Sequence, residues 1–317
     1  MTRRGFVAGV GAAIVWPVVA AAQRPGRTYR IAVLTSFSGE IPDSFWDELK
    51  RNGFFVGKNL VVDRRGKPVP IARLEAAAAE LVTAGPDAIV VWGPAAGHAA
   101  QTETKSVPIV LFTDDPVESG LATSMSRPGG NTTGVGIFAR QLDGKRLEIL
   151  HELVPAARRI GLLVDPTQVG QAEVEAVARN LDLELITREV RSADDVGQGI
   201  DALAAGKVAA INVLASALFY DSRALIIERT RALGLPTIYW WADLAREGGL
   251  ISFGPNFEEA HRLLARQVSR VLNGATPAKL PIIQPTRFEL VVNLKTAQAL
   301  GRTVPPSLLA RADQVIE

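Results

Sequence analysis

One pattern constrains this chain more than any other. Short apolar runs alternate with amphipathic stretches, and the alternation is run through twice in succession. In the first pass "RIAVLT" (30–35), "NLVVDRR" (59–65), "PDAIVVW" (86–92), "VPIVLFT" (107–113) and "TTGVGIF" (132–138) read as strands. Helical spacing separates them, as in "IARLEAAAAELVTAG" (71–85), with Gly85 at its C-terminal end. The rhythm restarts at "RRIGLLVDP" (158–166) and runs through "LELITREV", "VAAINVLAS", "LPTIYWW" and "GGLISFG" into a long helix over 257–272. Strand–helix alternation of this kind implies parallel sheets covered by helices on both faces. Two sets of it predict an α/β chain of two doubly wound parallel-sheet lobes. A late strand, "FELVVN" (288–293), follows after the second set is complete, so the chain crosses between lobes more than once and the joint is a multi-crossover hinge. The expected lobes are 29–138 plus about 254–280, and 139–253 plus about 281–317.

The first residues read as an address rather than as fold. "MTRRGFVAGVGAAIVWPVVAAAQ" has paired arginines, an apolar stretch from Phe6 to Val19 and the small residues Ala20, Ala21 and Ala22. That order is expected of an export signal spanning 1–22 and removed near Ala22, with a linker over 23–28 and a periplasmic destination. "TRRGF" resembles the twin-arginine form, and Gly9, Gly11 and Pro17 argue against a permanent membrane span. Removing 1–22 takes away Arg3 and Arg4 and no acid, so the balance becomes 35 − 2 = 33 basic against 33 acidic residues. A chain of zero net charge has no basic field for nucleic acid, and none is expected as a partner. The absence of cysteine excludes disulfides, thiolate metal sites and a thiol nucleophile, and the three histidines (His98, His151, His261) are spread too widely for a metal centre. No metal and no cofactor is expected.

Ligands of open parallel sheets bind beyond the carboxyl ends of the strands. The residues found there are Ser36, Phe37 and Ser38; Trp92, Gly93, Pro94, Ala95 and Ala96; Asp114, Asp115 and Pro116; and Gly136 with Phe138. The second set offers Asp165 and Thr167, Ser216, and the aromatic run Tyr239, Trp240 and Trp241. Hydroxyls, aromatics and acids suit recognition, whereas no nucleophile with its base is evident and no catalytic residue is expected. Adjacent Asp114 and Asp115 before a proline read as turn chemistry more readily than as an acid–base pair. Gly93 permits a tight turn, Pro94 suits a first helical position, and Ala95 and Ala96 leave the first helical N–H groups uncovered for an anion such as a carboxylate. Close strand–helix packing would ask for the same small residues. Strand alternation would send Tyr239 and Trp241 to one face and Trp240 to the other, with Tyr239 or Trp240 expected at the ligand.

The sequence resembles the exported substrate-binding proteins of ABC transporters, in the branch associated with tryptophan and tyrosine uptake. The segments that carry the likeness include "AAELVTAGPDAIVVWGPAA", "VPIVLFTDDPVESGLATSMSRPGGNTTGV", "KRLEILHELVPAARRIGLLVDP", "GLPTIYWWADLAREGGLISFGPNF" and "PTRFELVVNLKTAQALGRTVPPSLLARADQVIE". The resemblance implies a type I periplasmic-binding-protein fold that closes around a small solute. The expected role is a solute receptor, a monomer, with the membrane permease of an ABC importer as partner; the anion cradle and the Tyr/Trp wall fit a carboxylate-bearing solute, such as an aromatic or branched amino acid or a related organic acid. Loops matching Ser36 to Ser38, Gly93 to Ala96 and Asp114 to Pro116 would line the cleft from one lobe. Asp165 to Thr167, Ser216 and Tyr239 would line it from the other. The family often carries a hydroxyl residue after the loop glycine, and Trp92-Gly93-Pro94 lacks it. An exported hydrolase or isomerase on the same scaffold, and a sensor partner that presents ligand to a membrane kinase, are the competing readings.

Overall fold

The computed structural model describes residues 26–63, 68–167 and 171–317. The export segment expected over 1–22 lies outside them. The first set of strands is β1 (Tyr29–Thr35), β2 (Leu60–Asp63), β3 (Ala88–Trp92), β4 (Ile109–Thr113) and β5 (Thr132–Gly136). They form a parallel sheet in the order β2-β1-β3-β4-β5. Every residue of β3, β4 and β5 is buried, which explains why these strands read as unbroken apolar or small-residue runs. Helices α1 (Asp43–Arg51), α2 (Leu74–Thr83) and α3 (Pro94–Glu103) connect them. Gly134, with φ of +147°, is obligatory, because a Cβ there would lie 2.1 Å from the Leu111 carbonyl oxygen of β4.

The second sheet contains β6 (Arg159–Val164), β7 (Glu184–Glu189), β8 (Ala210–Val213), β9 (Thr237–Tyr239), β10 (Ile251–Pro255), β11 (Phe288–Asn293) and β12 (Gln314–Ile316). Its order is β12-β11-β10-β9-β8-β6-β7, parallel except that β11 runs antiparallel to β10. That departure from an all-parallel sheet arises because the late strand returns from the other lobe and enters beside β10 from the opposite end. The edge strand β7 is half-exposed and charged at its termini, which discourages pairing with another chain. Helices α4 (Asp143–Leu153), α5 (Ala172–Asn180), α6 (Val196–Ala205), α7 (Ala217–Asp221), α8 (Arg223–Ala232) and α9 (Ala242–Arg246) accompany this sheet.

The long helix α10 (Phe257–Leu272) follows β10 of the second sheet yet packs on the first. Its inward face, Ala260, Leu264, Ala265, Val268 and Leu272, recurs at helical spacing and joins the core formed by Phe45, Val90, Val110 and Val135. Burying side chains such as Leu264 and Val268 contributes about 1.5–3 kcal/mol apiece. Asn256 caps the helix by accepting the Glu259 N–H at 2.8 Å, with Glu258 and Glu259 in the first turn favoured by the helix dipole. The chain stays with the first sheet as far as Ile283, which bridges to Val135, and then enters β11. It finishes in α11 (Leu294–Ala299), α12 (Pro306–Arg311) and β12. The backbone therefore passes between sheets after Phe138, after Pro255 and after Ile283.

The candidate solute cleft between the sheets

The carboxyl ends of the two sheets face one another. After β1 the chain turns back through a hydrogen bond from the Phe37 N–H to Thr35 Oγ1 (2.9 Å), which presents Phe37 and Ser38 to the opposite lobe. Ser38 meets Asp221 at the end of α7: its Oγ–H donates to Asp221 Oδ1 at 2.5 Å and its N–H to the same oxygen at 3.2 Å. Beside this pair the Phe37 ring lies 4.7 Å from Tyr220 and 6.5 Å, edge-on, from Trp241. Tyr220 and Trp241 are themselves 5.2 Å apart, so three aromatic rings from both lobes form one wall.

Tyr220 is held from behind. Its hydroxyl donates to Asp243 Oδ2 at 2.6 Å, and the Arg223 guanidinium lies 4.5 Å above its ring. Burial pushes the Tyr220 hydroxyl well above its ordinary pKa, and the neighbouring Asp243 carboxylate adds to the shift. Burial also raises Asp243. Together the Asp243 hydrogen bond and the Arg223 guanidinium fix the Tyr220 ring in place.

The β3 turn separates two roles that its sequence left joined. Gly93 adopts φ of +81°, a left-handed conformation, and a Cβ on it would meet nothing within 4 Å, so it borders open space at the start of α3. Ala96 and Gly97 instead serve packing: Ala96 is fully buried, and a Cβ on Gly97 would lie 2.8 Å from Leu121. Pro94 opens the helix and Ala95 is half-buried. Trp92 points into the first-lobe core, where its Nε1–H approaches His261 Nε2 at 3.4 Å. His261 Nδ1 lies 2.9 Å from the Phe257 carbonyl, which can only accept, so Nδ1 carries the proton and Nε2 is the acceptor. Burial pushes this imidazole down to about 4, and it is neutral at physiological pH.

The β4 turn contributes no free carboxylate. Asp115 accepts the N–H groups of Val117 (2.9 Å) and Glu118 (3.0 Å), a local turn. Asp114 accepts the Ala139 N–H at 2.6 Å and Arg140 Nε at 2.7 Å, at the first passage between sheets. Pro116 and Phe138 close over Gly136, where a Cβ would approach them to 3.0 and 2.8 Å. In the second lobe Asp165, Thr167 and Ser216 form a single cluster at the ends of β6 and β8. Asp165 Oδ1 accepts the Thr167 N–H and hydroxyl, and Oδ2 accepts the Ser216 hydroxyl at 2.6 Å.

The aromatic run is arranged differently from strand alternation. The strand β9 ends at Tyr239, and Trp241 is already the residue before α9. Tyr239 points away from the gap into the lobe core, with its hydroxyl 3.5 Å from Thr230 Oγ1 on a small cavity that Thr237 and Gly249 also line. Trp240 is buried, and its carbonyl oxygen occupies the space a Cβ of Gly254 would need. Trp241 is the member of the run that reaches Phe37 and Phe257. Sequence reasoning missed Tyr220, Asp221 and Phe257. A signal existed for Tyr220: Ser216 is a helix N-cap, and a residue four positions later stands one turn along on the same side.

A family model described as "ABC transporter substrate binding protein" matches residues 35–316. The chain belongs to that family. A curated relative, the tyrosine-binding protein of Clostridioides difficile (strain R20291), is 25% identical over 261 residues, covering 81% of this chain and 75% of the relative. Among solved structures, an ABC domain from Streptococcus pneumonia in complex with L-Trp superposes with a TM-score of 0.82 at 24% identity, covering 91% of this chain and all (100%) of that one. The ligand-free, open structure of a substrate-binding protein with adhesive properties from Clostridium difficile gives 0.66 at 23% identity, covering 92% and 99%. Such likenesses establish the two-lobed fold of periplasmic binding proteins. A family of substrate-binding proteins is not a family of enzymes. Among the described residues no helix is long and apolar enough to cross a membrane, and no cluster of His, Asp and Glu could hold a metal.

Proposed function

We propose that this chain is an exported receptor that captures a small carboxylate-bearing solute, an aromatic amino acid foremost, between its lobes and delivers it to the permease of an ABC importer. One lobe comprises 29–138 with the α10 segment and the other 139–255 with the C-terminal block. The observation that carries the reading is the aromatic wall of Phe37, Tyr220 and Trp241, assembled from both lobes at the carboxyl ends of both sheets. A flat side chain inserted there contacts both lobes at once, and a solute that touches both favours the closed form by its differential affinity. The open space at Gly93 and the unpaired N–H groups at the start of α3 suit the solute's carboxylate. The binding of tyrosine by the curated relative and of L-Trp by the pneumococcal domain supports the same class of solute. Of the residues expected from sequence, Ser36, Phe37, Ser38, Gly93, Asp165, Thr167 and Ser216 remain in the proposed lining, joined by Tyr220 and Trp241.

Isothermal titration of protein unfolded, washed free of bound solute and refolded tests this. L-Tyrosine or L-tryptophan is expected to bind 1:1, ahead of leucine and simple organic acids. Refolded protein that binds none of them refutes the receptor reading.

A further inference from the structure

We propose that Asp114 is the pivot of the hinge and sets how readily the lobes close, without touching the solute. The proposal rests on the two-lobed receptor reading above. The backbone of Ala139, where the chain first leaves the first sheet, is held on both sides of its Cα. Its N–H donates to Asp114 Oδ1 at 2.6 Å, and its carbonyl accepts from Arg146 Nη2 at 2.8 Å. Asp114 follows β4 of the first lobe, whereas Arg146 lies on α4 of the second.

Each anchor is itself built to stay in place. Arg146 is wholly buried, is charge-paired with Asp143, and its Nη1 donates to the Phe253 carbonyl at 3.1 Å. Phe253 lies in β10, shortly before the chain crosses back, so one guanidinium holds the departure points of two crossings. The turn between the anchors is unusual too. Phe138 has φ of 49°, a left-handed conformation that a bulky residue seldom adopts, and its ring fills the space beside Gly136.

Asp114 has no spare role to offer a solute. Its carboxylate accepts the Ala139 N–H, the Arg140 N–H at 3.3 Å and Arg140 Nε at 2.7 Å, and Arg140 Nη2 also reaches Glu118 at 2.5 Å. Arg140 begins the second lobe, while Asp114 and Glu118 belong to the first. Rotation of the lobes about Phe138 swings the guanidinium away from both carboxylates, so these ion pairs are made in the closed form and strained or lost in the open one. A contact made in one state alone biases the equilibrium toward that state, and apparent affinity scales with the closed-competent fraction.

The test uses the full chain. It has no cysteine, so Glu103→Cys on α3 and Asp194→Cys in the second lobe give a clean spin-label pair for measuring inter-lobe distances. Asp114→Asn is expected to broaden and lengthen that distance distribution without solute. It should also weaken every solute the unaltered protein binds by the same factor, about ten- to a hundredfold, with their order preserved. Arg140→Gln, which leaves the backbone contacts of Asp114 in place, is expected to show a smaller version of both effects. It carries the test alone if Asp114→Asn does not fold. An unchanged distance distribution, or a loss confined to some solutes with their order altered, overturns the proposal. If the unaltered protein binds no solute, the receptor reading falls, and the distance measurement still decides the hinge claim.

Discussion

His261 gives the sharpest link between a single buried group and a measurable stability. It lies on the inward face of α10 at 1% exposure, with ring centroids 4.2 Å from Phe257 and 4.4 Å from Phe112. Its Nδ1–H is committed to the Phe257 carbonyl, and its Nε2 faces the Trp92 indole N–H. A second proton on Nε2 would set two donors against each other among aromatic rings, so burial holds the folded-state pKa down to about 4, against 6.5 ordinarily. The unfolded chain takes up the proton below about 6.5 while the folded chain refuses it until about 4, so stability is fully present above that window and lost as pH falls through it. At about 1.36 kcal/mol per pH unit, a gap of about 2.5 units amounts to roughly 3 kcal/mol. Urea unfolding followed by fluorescence between pH 7.5 and 4 reads this directly. The carboxylates contribute their own acid sensitivity, so the comparison is with His261→Phe, which lacks the titrating group. The substitution lowers stability at pH 7 by stranding the Trp92 N–H, but its stability should fall less steeply with acid. Parallel curves for the two proteins from pH 6.5 to 4.5 would refute the reasoning.

Two further outcomes follow from contacts described above. Gly134→Ala places a methyl group 2.1 Å from the Leu111 carbonyl at φ of +147°, so β4 and β5 must separate, and the expected cost exceeds about 3 kcal/mol, read as a lost or greatly lowered melting transition. Tyr220→Phe keeps the ring but deprives the buried Asp243 of its hydroxyl donor; a loss of about 1–3 kcal/mol in urea unfolding is expected, with weaker solute binding because the ring is no longer fixed. Binding and stability both unchanged in that variant would mean that Asp243 does not orient the wall.

Much of the fold is legible in the sequence because its strands are buried on both faces. "AIVVW" and "IVLFT" are unbroken apolar runs, as strands in the middle of a covered parallel sheet are. The antiparallel entry of β11 is not legible, since a hydrophobic run carries no sign of its direction. The site is readable only where it depends on neighbours in the chain. Gly93 before Pro94 announces its own turn, and Ser216 its own cap. The partners across the gap are set by the docking of lobes, as with Ser38 and Asp221, 183 positions apart, and no local spacing encodes them. Tyr239 shows the opposite failure: alternation holds only while the strand lasts, and the strand ends there. Asp114 looked like a turn residue beside a cleft because its partners at Ala139 and Arg140 belong to the next lobe.

The aromatic wall does not stop at the cleft. Trp241 lies 4.7 Å from Phe257, Phe257 4.2 Å from His261, and His261 packs on Phe112 and Trp92 in the core of the first lobe. Phe257 is the first residue of α10, immediately after the second crossing, and Asn256 before it donates to Glu289 in β11, just after the third. The residues that would grip a solute therefore continue into those that set the hinge and those that hold the first lobe together. Packed rings have few alternative arrangements, so a shift of any one ring in this row has to be met by its neighbours. A neutral His261 is what permits the row to be continuous. An imidazolium at that position would need a solvated partner, and admitting one would open a gap between Phe257 and Trp92.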